Sequence, residues 1–297
     1  MRLLANNQIA SNSAISIFSN SVLDLNGFTN TVGEVQMSGG SVKTGAGTLK
    51  ISGKLAASPD TSVTLSGSIQ AGRLENSGAM RLEIGLLSSE SARISGNLSI
   101  GSGATAQFGT ELNVTVHGAL SGSAGARFIV SGDLISDSTE SVWWNTTLAE
   151  VNFSGGSGSH KFSINGLDLG ATTAGYQNDF AWGALRLASG ESLTLLDAGL
   201  PGGALYTGDL LLEGGIGQIS SISSSGLNVY YDSSHGANAY LGSKSYPLTG
   251  GGFLIPVPEP GSAALLSTGA LLLAKRRSRK RVIAPHSQTP VVSVSSL

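Results

Sequence analysis

The sequence contains no cysteine. That excludes disulfides, thiolate zinc sites and cysteine nucleophiles. It is also poor in charge. Asp, Glu, Lys and Arg make up 12% of the 297 residues, about half the usual globular share. Aromatic residues are 6%. No apolar run approaches the roughly 20 residues that a spanning helix requires. None of the histidines, His117, His160, His235 and His286, stands at metal-ligand spacing from another. No Gly-x-Ser-x-Gly elbow occurs; in "SGGSGS" at 154–159, Ser159 replaces the last glycine. The carboxylates are scattered singly. Asp168, Asp197, Asp209 and Asp232 read as turn residues that accept backbone N–H groups. The sequence thus offers no catalytic residue, no metal site and no cofactor site. At the N-terminus Arg2 is followed by only Leu3, Leu4 and Ala5 before Asn6, short of the apolar core of a secretory signal.

Glycine and alternation are what the chain has instead. There are 42 glycines, and 40% of residues are hydrophobic, too many for a disordered chain. Short stretches such as "VTLSGSIQ" and "LNVTVHGAL" alternate apolar and polar residues and are bounded by Gly, Ser and Asn, which reads as strand. An apolar–x–Gly–x–apolar unit recurs at Ile51–Leu55, Leu65–Ile69, Ile94–Leu98, Val116–Leu120 and Val130–Leu134. "LSIGSGATAQF" from Leu98 and "LSGSAGARF" from Leu120 echo each other at an offset of 22, or 20 between Phe108 and Phe128. A step of roughly 20 residues is one coil of a β-solenoid. Ile51, Leu65, Ile94, Leu98, Val116 and Leu134 are expected to face inward. A β-sandwich with Gly-rich hairpins is the alternative. Residues 1–140 are read as solenoid repeats, and 141–250 as further coils or a β cap. That second stretch holds Trp143, Trp144 and Trp182, and five of six tyrosines follow residue 200. Tyr230, Tyr231 and Tyr240, with Trp182, either pack as an end plug or stack on sugars.

Two stretches carry resemblances. Leu23-Asp24-Leu25-Asn26-Gly27 and Lys43-Thr44-Gly45-Ala46-Gly47-Thr48-Leu49 resemble the autotransporter-associated β-strand repeat. That resemblance runs only from Val22 to Gly53 and implies a right-handed β-helix.

The second lies in the tail. Residues 251–261 read as a Pro/Gly linker. From Ala263 to Ala274 there are 12 uncharged residues, about 18 Å as helix against a hydrocarbon core of about 30 Å. Six basic residues follow: Lys275, Arg276, Arg277, Arg279, Lys280 and Arg281. By the positive-inside rule this cluster stays cytoplasmic while the body lies outside. The body up to Ser262 carries 11 basic against 19 acidic residues, a net charge of −8 that argues against nucleic acid as partner. Val257-Pro258-Glu259-Pro260-Gly261, a short apolar helix at 262–281 and the basic cluster closely resemble the PEP-CTERM sorting signal of Gram-negative bacteria. The resemblance implies processing by an exosortase-type membrane protease near Pro-Glu-Pro. It also implies transient contact with the lipid bilayer through 262–274. Residues 282–297 are expected to be a disordered tail, and an in-frame extension upstream of Met1 is expected to encode a signal peptide.

The expected protein is all-β: a right-handed β-solenoid with a β cap, then one short hydrophobic helix. Its expected role is structural or adhesive and non-enzymatic, at the cell surface or in the extracellular matrix, with an extracellular polysaccharide as a candidate partner. The alternative is a polysaccharide-acting lyase or hydrolase on the same scaffold. A cluster of acidic and basic side chains on one outer face would favour the enzyme. A face of Ser, Thr and Asn would favour the structural role.

Overall fold

A computed structural model describes residues 1–155, 158–198 and 202–258. The described chain is an all-β solenoid of about 11 turns. Each strand pairs with one about a coil earlier and one about a coil later. The pairings are parallel except between Tyr246–Pro247 and Phe253–Val257 and at the bridge from Leu167 to Gly203. The sandwich is excluded, since its sheets are antiparallel.

The pairings run in three columns, one per face of the coil. The second face carries a long inward ladder. Leu49, Ile69, Leu87, Ala106, Phe128, Val151, Leu185 and Leu210 are partners on successive coils. All are buried. The third face has its own ladder: Val35, Leu55, Leu74, Ala92, Leu112, Leu134, Phe162 and Leu195. Fully burying one aliphatic side chain contributes roughly 1.5–3 kcal/mol. Because identical faces stack, every coil adds a similar increment and touches mainly its neighbours.

The apolar–x–Gly–x–apolar unit is the corner, not the coil. Ile51 ends the second face and Leu55 opens the third. Leu65 ends the first face and Ile69 opens the second. Corners recur three times per coil, which explains their uneven spacing in sequence. Glycine is required where the corner backbone packs against the coil below. At Gly85, φ is +95°, and a Cβ would stand 2.3 Å from the Gly67 carbonyl oxygen. Five of the six residues expected inward are buried. Val116 is the correction, at 40% exposure. The inward ladder there ends at Val114, and a turn closed by the Gly118 amide donating to the Thr115 carbonyl carries Val116 outside.

The offset of 22 holds throughout that coil. Leu98 pairs with Leu120, and Phe108 with Val130 rather than with Phe128, so the apparent 20 is corrected. Residues 141–250 continue the coils, and the last strand, Phe253–Val257, extends them into the expected linker. The expectation of an extended, unpacked linker over 251–261 is therefore corrected for 253–257, which is paired and packed. Leu254 and Val257 are buried. Pro256 is tolerated because the short partner Tyr246–Pro247 reaches only Phe253 and Leu254 on the other side, leaving Pro256 on an edge. The 3-10 turn Gly236–Leu241 lies against the last strand of the second face. Asn238 accepts from the Leu210 amide, and the Tyr240 hydroxyl donates to the Leu210 carbonyl. It acts as a plug for that column's unpaired edge.

Candidate functional site

The sorting motif enters the described structure only at its start. Val257 closes the final strand beside Asp232 and packs with Tyr206 and Tyr230. Pro258 is exposed and outside any strand. Glu259, Pro260, Gly261, the helix expected at 262–281, its basic cluster and the tail 282–297 lie outside the described residues. Among the described residues no helix is long and apolar enough to cross a membrane.

The structure brings together a second site that the sequence reading did not assemble. Outside the second face lies a groove of about 540 Å³. One side is an outward ladder on consecutive coils: Thr105, Arg127, Glu150, Ala184 and Asp209. The adjoining corner contributes Gly103, Gly125 and Gly183. Glycine at 183 is forced by stacking, because a Cβ would sit 2.7 Å from the Thr147 carbonyl oxygen. These positions leave the groove bare of side chains. A bulge adds a rim. Thr146 pairs with Trp182 and Glu150 with Ala184, so Thr147, Leu148 and Ala149 oppose Gly183 alone. The extra residues turn Leu148 outward into solvent. Bulges commonly re-aim side chains beside functional sites.

The charges around the groove are mostly paired. Arg186 donates from Nε and Nη2 to the two Glu150 oxygens at 3.1 and 3.3 Å, and from Nη1 to Glu213 at 3.2 Å. The Glu150 hydrogen bonds, opposed by burial, keep the Arg186 guanidinium firmly charged. His235 Nδ1 lies 2.8 Å from Asp209 Oδ1, and its Nε2 lies 3.6 Å from Asp232. Arg127 is exposed, and among the described residues no carboxylate lies within ion-pair distance of it. The arrangement can hold a polar ligand by hydrogen bonds and one free cation. It is a poorer acid–base pair, because each carboxylate is already engaged by a cationic or imidazole partner.

The remaining polar residues are structural. His160 is buried in the strand Ser159–Ile164. Its Nδ1 is 2.7 Å from the Gly132 carbonyl oxygen, and its Nε2 is 3.2 Å from Glu191. His117 is exposed beside Glu140. His286 lies outside the described residues. Asp168, Asp197 and Asp232 accept turn amides as expected, from Gly170, Gly202 and Ser234. Asp209 instead faces His235. Asp168 also accepts from Asn228 and from the Tyr230 hydroxyl. Burial pushes its carboxyl up, but these three donors outweigh it and hold Asp168 below the usual carboxylate range. Trp182, Tyr230 and Tyr231 are buried, so they cannot stack on a sugar. Tyr230 stacks instead on Tyr206, with ring centroids 4.6 Å apart. Trp143 does not join the plug and is exposed. Among the described residues no group of three His, Cys, Asp or Glu side chains could hold a metal ion.

No family model matches the chain, and neither a curated protein nor a solved structure matches it.

Proposed function

We propose that the chain is an exported, non-enzymatic structural or adhesive protein whose tail is a sorting signal read by an exosortase-type membrane protease. The observation that carries this reading is where the last described strand ends. Its last described strand ends at Val257, the first residue of Val-Pro-Glu-Pro-Gly, and Pro258 is already exposed. Cleavage beyond Pro258 would leave every described coil whole. The two prolines flanking Glu259 restrain that segment to extended conformations suited to a protease cleft. In this reading the body is a right-handed solenoid, the apolar run at 262–274 is a short helix holding the substrate in the bilayer, and the six basic residues block its translocation. Each basic residue costs roughly 2.5–3.5 kcal/mol at the bilayer centre. The protein then acts at the cell surface or in the extracellular matrix.

The test is mass spectrometry of the exported protein in a host with an active exosortase. The mature chain should end near Gly261, and substituting Pro258, Glu259 and Pro260 together should leave the tail attached. A surface-located chain still ending at Leu297 would overturn the reading.

A second reading, a polysaccharide hydrolase or lyase, is the one favoured by the criterion stated from the sequence, since Arg127, Glu150, Arg186 and Asp209 gather acidic and basic side chains on one outer face; it draws on Glu150 and Asp209. Both line one groove, two strands apart, roughly 9–10 Å along the ladder. That spacing is compatible with an inverting hydrolase. The hydrogen bonds from Arg186 to Glu150 and the contact of His235 with Asp209 weigh against it, since both carboxylates are already engaged by neighbouring side chains. Release of reducing ends or unsaturated products from acidic or neutral glycans by the purified chain would favour this reading.

A further inference from the structure

We infer that the groove along the second face is a binding site for a linear acidic glycan, with the uronate or sulfate of one sugar seated on Arg127. The groove is long rather than deep. From Thr105 to Asp209 the ladder takes four steps between strands, about 19 Å in all. A trough of that form fits several sugar units in file better than one compact ligand. Its base is open because Gly183 and Ala184 put nothing bulkier than a methyl group between Glu150 and Asp209. Sugar rings present hydroxyls at their edges and C–H groups on their faces. The lining offers acceptors for the first at Glu150 and Asp209, donors at Thr105, and an apolar rim for the second at Leu148. Glu150 is held still by two hydrogen bonds from Arg186, so little side-chain freedom is lost on binding.

The charge pattern selects the class. Arg127 is the one Lys or Arg among the residues lining this groove, no carboxylate of the described residues lies within ion-pair distance of it, and its planar guanidinium suits a carboxylate or sulfate bidentately. A nucleic acid would place its regularly spaced phosphates against Glu150, Asp209 and Glu213, and the body is acidic overall. A peptide strand has no place to add, because the groove-lining strands are paired to coils on both sides. The inference is independent of the tail, so either test can fail while the other stands.

The experiment is titration calorimetry of the full chain with a cellotetraose in which one unit is oxidised at C6 to a glucuronate, so that it carries a single negative charge, with unmodified cellotetraose as the neutral probe and sodium acetate as the ion control. The acidic tetramer should bind more tightly than cellotetraose, and acetate should show no measurable binding. Arg127→Ala removes an exposed side chain and should weaken the acidic tetramer at least about tenfold while changing cellotetraose little. Ala184→Trp should obstruct both sugars, and far-UV circular dichroism checks that the coils remain. Should Ala184→Trp unfold, Asp209→Ala replaces it and should weaken both sugars. Arg93→Ala, on another face, should change neither. Absence of sugar binding, or binding unaffected by both Arg127→Ala and the groove variant, overturns the site. Equal affinity for the two tetramers overturns the acidic class.

Discussion

The solenoid is built in two styles. From Ser41 to Ile94 three strands of 17, 15 and 16 residues each run through all three faces. Partners there lie close in sequence, as Leu49, Ile69 and Leu87 do. Their cores are aliphatic. From Phe128 onward the strands are short and the coils lengthen, so that Leu134 pairs with Phe162 and Val151 with Leu185. There the core includes Phe128, Phe153, Phe162, Trp144 and Trp182. Longer coils leave more interior to fill than Leu and Val can reach, and rings fill it. The exterior changes with the interior. One outward register reads Thr48, Ser68, Leu86 and Thr105 in the early coils, then Arg127, Glu150, Ala184 and Asp209. On this register the regular coils present Thr, Ser and Leu, and the irregular ones make the bulge and the charged groove.

Removing the largest ring should break this contrast most. Trp182 is buried and meets Phe128 edge-on at 5.5 Å, Trp144 at 6.2 Å and Phe162 at 6.4 Å. Trp182→Ala should cost about 3–5 kcal/mol. Ile69→Ala, on the aliphatic ladder, should cost about 2–4 kcal/mol. Because coils couple mainly to neighbours, the loss should be local. Hydrogen exchange should show lost protection at 127–257 in Trp182→Ala while amides at 41–94 keep theirs. Uniform loss along the chain would mean the two regions fold as one unit.

A smaller effect separates tight corners from open ones. Gly85→Ala combines positive φ with a backbone oxygen 2.3 Å from the new Cβ, so the coil below must shift. The expected cost is about 2–4 kcal/mol, strain plus overpacking. Gly190 has φ of +83° but nothing within 4 Å of a Cβ. Gly190→Ala should cost only about 1–2 kcal/mol, the conformational part alone. Equal costs by denaturant titration would remove close coil stacking as the reason for glycine at the early corners.

The fold was legible where the local pattern and the coil agreed. Alternation and Gly-bearing corners placed Ile51, Leu65, Ile94, Leu98 and Leu134 correctly, because each sits beside a tight corner where sequence position fixes direction. Val116 failed because one corner is longer, and a turn hydrogen bond spanning Thr115 to Gly118 reverses the direction of the side chain. The strand Phe253–Val257 was hidden by its proline, which reads as a linker unless the strand is known to lie on an edge. The groove was not legible. Arg127, Glu150 and Asp209 are widely and unevenly spaced along the chain, and only the register of unequal coils brings them into one line. Register depends on bulges and on the excursion between Ile164 and Ala181, neither of which leaves a periodic trace. The signal that could have found them is the alternation itself: once coil length is known, outward positions can be stacked and their charges compared.

The gentlest test uses acid. Asp179 lies in the excursion, buried, with Oδ1 accepting from the Leu167 amide at 2.7 Å and Oδ2 without a hydrogen-bond partner among the described residues. Burial raises its carboxyl, the Leu167 hydrogen bond opposes that, and nearby Asp168 adds to the rise; the result is a pKa of about 6. The folded value exceeds the unfolded one, so the native state binds this proton more tightly. The associated stability is complete below pH 4 and is lost as pH rises through about 6, at no more than about 1.4 kcal/mol per pH unit. Asp179→Asn keeps an oxygen for the Leu167 amide and removes the buried charge. The variant should therefore equal or exceed the parent at pH 7.5, and its advantage should shrink by pH 5. The effect should be confined to the irregular coils. Melting curves at the two pH values decide it: a variant less stable than the parent at pH 7.5 would show that the ionised carboxylate is a favourable partner there, and that the wide coils tolerate buried charge.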